Sequence, residues 1–161
     1  MRCVLMLMVQ VAIVNNIHLW GYSTALVVGY VVVRFRSGAS RISMLLWGFF
    51  AGLMFDMFSD TMGMCMISMT LLAMLQPALL FLFKPRDASG DFIPTIRTMG
   101  LWLYVPYVAF SMLALHSSFY LLEAFSFSNW QLTLAAICGG TLMSVFVIVF
   151  IEVMLGSTRR N

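Results

Sequence analysis

The stretch Met62–Phe83, MGMCMISMTLLAMLQPALLFLF, decides the fold class. It holds no Asp, Glu, Lys or Arg. A helix of this length, rising about 1.5 Å per residue, crosses the ~30 Å apolar layer of a bilayer. Leu132–Ile151 is a second run of the same kind. Across the chain 62% of the 161 residues are hydrophobic and 9% are charged, against roughly 25% charged in a soluble domain. A soluble fold of this size has no interior large enough for so much apolar surface. A spanning barrel would alternate apolar and polar residues, whereas these runs are continuous. One helical membrane domain covering residues 1–161 is the expectation.

Working outward, helices are expected at Cys3–Val14, Ser23–Val33, Ile42–Phe58, Met62–Phe83, Met99–Leu122 and Trp130–Leu155. Arg2 and the apolar run after it resemble a short signal peptide. The run ends in Asn15-Asn16-Ile17-His18 rather than in the small residues of a cleavage site, so it reads as a retained first helix. With six spans and both termini cytoplasmic, Arg2, Arg34, Arg36, Arg41, Lys84, Arg86, Arg97, Arg159 and Arg160 all fall inside. The outer connections then carry Asp56, Asp60 and Glu123 and no base. This obeys the positive-inside rule. The net charge of +3 therefore describes membrane orientation rather than a nucleic-acid surface. Trp20, Tyr22, Trp102 and Trp130 sit near helix ends, at headgroup level. Trp47 falls deeper, as a packing residue.

The most specific local pattern is Gly48-x3-Gly52-x3-Asp56-x2-Ser59-x3-Gly63. In a continuous helix these spacings put every member on one face. The glycines let a neighbouring helix backbone come close. Asp56 and Ser59 lie at the outer end, and the turn Ser59-Asp60-Thr61 is placed to cap the next helix. Asp56 is alternatively buried and hydrogen-bonded among helices. The stripe reads as helix packing or as a partner-contact element. Pro77 and Pro106 each remove a backbone hydrogen bond inside a helix and should kink it, opening a groove for Tyr104, Tyr107 and Tyr120. Met62, Met66, Met69 and Met74 mark a Met-rich face that fills the core, meets lipid or contacts a partner helix.

No catalytic constellation stands out. His18 and His116 are isolated, and a lone buried histidine is usually a hydrogen-bonded packing residue. Cys3, Cys65 and Cys138 stand in separate segments, as packing residues. Nothing in the chain calls for a metal or cofactor. Gln10, Gln76, His116, Ser117, Ser118 and Glu123 are the polar groups available to line an outer cavity.

The segment from Trp47 to Gly63, WGFFAGLMFDMFSDTMG, resembles the signature of the rod shape-determining MreD family, in the branch found in Bacteroidota. Asn15-Asn16-Ile17, Gly21-Tyr22, Leu75-Gln76-Pro77 and Lys84-Pro85-Arg86-Asp87 match further landmarks in order. The resemblance covers residues 15–87, and the remainder matches in length and hydropathy. It implies a non-catalytic adaptor of the inner membrane, working with the scaffold MreC, the MreB filament and the paired glycosyltransferase and transpeptidase that build lateral peptidoglycan. It also implies a six-helix fold resembling the substrate-binding subunits of energy-coupling-factor vitamin transporters. Such a subunit is the alternative reading. Those subunits carry Ala-x3-Ala on their first helix, where this chain has Met8, Ala12 and Asn16.

Overall fold

The computed structural model describes residues 27–59, 63–84, 91–123 and 130–158. The expected first helix Cys3–Val14, the motif Asn15-Asn16-Ile17, Gly21-Tyr22, Gln10, His18, Trp20, the turn Asp60-Thr61, the loop Pro85-Arg86-Asp87 and Arg159-Arg160 lie outside them.

Helices alone form the elements of the described residues. A 3-10 turn, Val27–Gly29, leads into the short α1, Tyr30–Val33. Three consecutive β-branched valines are weak helix formers, and the chain turns away at Arg34. α2, Arg41–Ser59, starts where the Ser40 hydroxyl accepts the Ser43 amide at 3.2 Å, the usual N-terminal cap. α3, Met64–Phe83, ends at Lys84, whose extended backbone is what a following proline imposes. α4, Ile96–Met99, opens on a reciprocal Thr95–Thr98 capping box. α5 is Leu101–Glu123 and α6 is Trp130–Thr158.

The expected helix Met99–Leu122 starts two residues later, at Leu101, and Met99 instead closes the short α4. Gly100 stands at φ +74° and ψ 156°, a backbone that other L residues avoid. It swings α4 away from the long α5.

α2 packs on α3, α3 on α5, and α5 on α6, while α1 and its leading turn reach all four. α5 is central and supplies Tyr104, Tyr107, Val108, Met112, Leu115 and Phe119 to the core. The outer faces are equally apolar: Ile42, Phe50, Met57, Met74, Phe81, Leu142 and Phe146 are all exposed. Soluble monomers rarely expose apolar surface on this scale, and lipid accepts it.

Met64–Phe83, Leu101–Glu123 and Thr133–Met154 are long and apolar enough to cross a membrane. Three such helices stand among the described residues where six spans are expected from the sequence. α1 is too short, and α2 carries two glycines, Ser43 and Asp56 in its length.

Trp47 is 52% exposed, so it faces outward and is not the packing residue expected. The Met-rich face also divides. Met69 is fully buried, whereas Met74 is 74% exposed, because their five-residue spacing is nearly a turn and a half of helix. Cys65 is buried and Cys138 exposed.

Candidate functional site

α2 turns Met44, Gly48, Ala51, Gly52, Phe55 and Asp56 inward, a stripe at helical spacing. Gly48 and Gly52 set how closely α3 approaches. A methyl group on Gly52 would stand 2.5 Å from Met66 Cα and 2.9 Å from the Cys65 carbonyl oxygen. One on Gly48 would stand 3.0 Å from both the Met69 carbonyl oxygen and Ala73 Cβ. Backbone thus lies against backbone at Gly52, and only glycine permits that distance.

Asp56 completes the contact. Its Oδ1 accepts the Cys65 amide at 3.0 Å and its Oδ2 accepts the Met66 amide at 2.8 Å. These are among the amides that the first turn of α3 leaves without helical partners. The residue in capping position is Gly63, at φ +82° with no side chain to offer. A carboxylate from the neighbouring helix does the work instead, and its charge suits the positive end of the α3 dipole. Asp56 is 7% exposed. The alternative of an Asp56 buried and hydrogen-bonded among helices therefore holds.

The five-residue stripe is not one continuous helical face. Gly63 lies in a left-handed turn after α2 has ended, because the chain must reverse there. Ser59 is the last residue of α2. Pro77 sits half-buried within α3, in the half of that helix away from Asp56, and is not part of the stripe. Met66 and Met69 back onto the α2 glycines. The backbone at both residues is committed inside the hairpin, and no face of Met69 remains for a partner helix.

A second polar group lies at the opposite end of α3. The Tyr107 hydroxyl donates to the Val33 carbonyl at 3.0 Å and accepts from Gln76 Nε2 at 3.2 Å. Tyr30 donates to Glu152 Oε2. Arg34 donates to the Tyr30 hydroxyl at 3.0 Å and stands 3.9 Å from Glu152 Oε2. Its guanidinium also lies 5.6 Å from the Tyr30 ring centroid, within cation–π range. Sequence reasoning used Arg34 for topology alone and passed over Tyr30 and Glu152. One signal was present: Glu152 closes the charge-free run of the last helix, one turn beyond Ile148 and two beyond Ser144.

At this end the connections also meet. The Ser37 amide donates to the Phe92 carbonyl at 2.9 Å, and Arg36 pairs with Asp91 at 3.3 Å. Both ion-pair partners are half-exposed, so the pair contributes little stability.

His116 is the packing residue expected. Its Nδ1 lies 2.8 Å from the Met112 carbonyl, its Nε2 3.5 Å from Ser144 Oγ, and its ring stacks on Tyr120. Gly140 of α6 makes room, since a methyl group there would stand 2.7 Å from His116 Cδ2. Glu123 is exposed at the end of α5. Gln76 and His116 therefore belong to separate clusters, so these two residues considered for one outer cavity do not converge. Among the described residues no three His, Cys, Asp or Glu side chains gather as metal ligands.

Comparison of the chain with known protein families, with curated proteins and with solved structures finds no match.

Proposed function

We propose that this chain is a non-catalytic, multi-pass adaptor of the cytoplasmic membrane, of the MreD type. It binds the MreC scaffold and serves the MreB-associated machinery of lateral peptidoglycan synthesis and cell-shape maintenance. The observation that carries the reading is the unit made by Gly48, Gly52 and Asp56. These residues of the MreD-like segment act together, two by admitting the α3 backbone and one by capping α3. A motif that builds a rigid hairpin suits a protein whose task is to present surfaces.

Two further observations support it. Buried polar side chains are largely spent on one another or on backbone carbonyls, as with Ser68, Ser111 and Tyr107. The outer face of α2 is apolar and aromatic, with Leu46, Trp47, Phe50 and Met54 exposed. On this reading the chain crosses the membrane six times. Its basic connections face the cytoplasm, in keeping with the meeting of residues 34–40 with 91–95 at one end of the bundle.

The test is purification of the tagged full-length chain in mild detergent, with identification of what accompanies it. MreC together with the elongation glycosyltransferase and transpeptidase is the expected result. A coupling membrane protein with two ATPases would overturn the reading in favour of a vitamin-uptake subunit. Gly52→Leu and Asp56→Ala should each reduce recovery of MreC while the protein still inserts. Full recovery with both variants would remove the hairpin from the docking mechanism.

A further inference from the structure

Of the basic side chains at the end of the bundle where residues 34–40 meet 91–95, two have their charge answered within the chain. Arg36 pairs with Asp91 at 3.3 Å, and Arg34 stands 3.9 Å from the buried Glu152. Arg41 and Lys84 differ. Both are exposed, and neither has an acid within ion-pair distance among the described residues. Arg41 opens α2, whose first turn holds no acid. Lys84 meets instead the ring of Phe92, whose centroid lies 6.0 Å from its Nζ.

The hairpin places these two bases at one edge. Gly52 backs onto Met66, and Gly48 onto Met69 and Ala73, so α2 and α3 run antiparallel. Arg41 therefore lies beside the last turns of α3, and Lys84 is the residue that follows α3. The Phe92 carbonyl accepts the Ser37 amide at 2.9 Å. The ring contact thus holds the Lys84 ammonium near the connection that leads into Arg41. Next to the charges the surface turns apolar and open. Ile42, Phe81 and Leu82 are all at least 71% exposed, and α3 is a helix long and apolar enough to cross a membrane.

We propose that Arg41 and Lys84 form a headgroup site for an anionic phospholipid, with its phosphate between the two bases and its acyl chains along Ile42, Phe81 and Leu82. Charge complementarity selects the class of lipid. Two bases without counter-ions at a bilayer surface attract a net negative headgroup. A zwitterionic headgroup carries its own ammonium and gains less. Position favours lipid over an acidic protein segment. Long basic side chains at helix ends reach the headgroup layer while their stems stay on apolar surface, so bilayer phosphates already lie at their level. An acidic segment arriving from water would leave the apolar flank uncovered. The site requires only a bilayer around the helices and stands apart from the adaptor reading.

The experiment offers the full-length chain in mild detergent equal amounts of phosphatidylglycerol and phosphatidylcholine with the same acyl chains. Bound lipid is counted by native mass spectrometry. The wild type should retain phosphatidylglycerol over phosphatidylcholine. Arg41→Gln and Lys84→Gln should each cut that preference about fivefold, the worth of one basic residue near a charged membrane surface. Arg41→Lys and Lys84→Arg should keep it. Arg97→Gln, at an exposed base of α4, should leave it unchanged. Equal retention of the two lipids by the wild type overturns the site, as does a preference that survives replacement of both bases by glutamine. Loss of preference in the charge-keeping variants also overturns it, and so does an equal loss with Arg97→Gln, which would mean a diffuse field. A deca-glutamate peptide in the same mixture should not displace the lipid. Displacement would assign the two bases to an acidic protein segment instead.

Discussion

Asp56 stands eight residues before the start of the helix whose first turn it caps. Its two oxygens take two amides, so removing the carboxylate orphans both donors in an apolar interface. Asp56→Ala should therefore lower stability by about 2 kcal/mol, read as a fall in thermal midpoint in detergent. Asp56→Asn keeps one acceptor oxygen and should lose less. Equal midpoints for all three proteins would mean that the cap contributes nothing. The value of Asp56 was partly legible beforehand, since glycine spacing points to close packing and a carboxylate near a helix end points to capping. Which amides it takes was not legible. That depended on Gly63 turning the chain through positive φ so that α3 starts beside Asp56.

The helices themselves were the most readable part. α3 and α5 lie close to where hydrophobic runs put them, because length and charge exclusion define a membrane-compatible helix without reference to neighbours. The short α4 and the start of α5 beyond Gly100 were missed, by two residues at that boundary, since one glycine does not announce its φ. Face assignment was also harder. In water the apolar face of a helix is the buried one, whereas here both faces are apolar and burial is decided by size and polarity. α6 shows this: Gly140, Thr141, Ser144, Ile148 and Glu152 turn inward, while Leu142, Phe146 and Phe150 face out. Its pairing with α5 makes a specific test. Gly140→Ala should destabilise the bundle because its methyl group meets the His116 ring. His116→Ala in the same chain should relieve part of that loss, with a coupling of about 1 kcal/mol measured by thermal unfolding of the four proteins. Strict additivity would mean that the two helices do not meet through this pair.

The arrangement of the basic connections belongs to the assembled bundle. Arg36 and Asp91 pair, and Ser37 and Phe92 share a backbone bond, so residues 34–40 and 91–95 occupy one end. Cysteines placed singly at Ser37 and Ile93, both exposed, should react with an impermeant maleimide from the same side of sealed vesicles. On the proposed topology that side is the cytoplasmic one, so inverted vesicles should label and right-side-out vesicles should not. Opposite-side labelling of the two cysteines would contradict the packing itself. Same-side labelling from the outside would reverse the orientation and leave the packing intact.

Composition by itself determined that this chain is helical and suited to a bilayer. Long charge-free runs without the alternation of a barrel satisfy their backbone in a bilayer as helices, and the lone Gly48-Gly52-Asp56 pattern marked where two helices meet. Tertiary structure alone decided which polar groups become partners. Tyr30, Arg34 and Glu152 come from segments more than a hundred residues apart, and nothing in their spacing connects them. They meet because α1 and α6 converge at one end of the bundle, where the buried carboxylate of Glu152 takes its hydrogen bond from Tyr30 and its countercharge from Arg34.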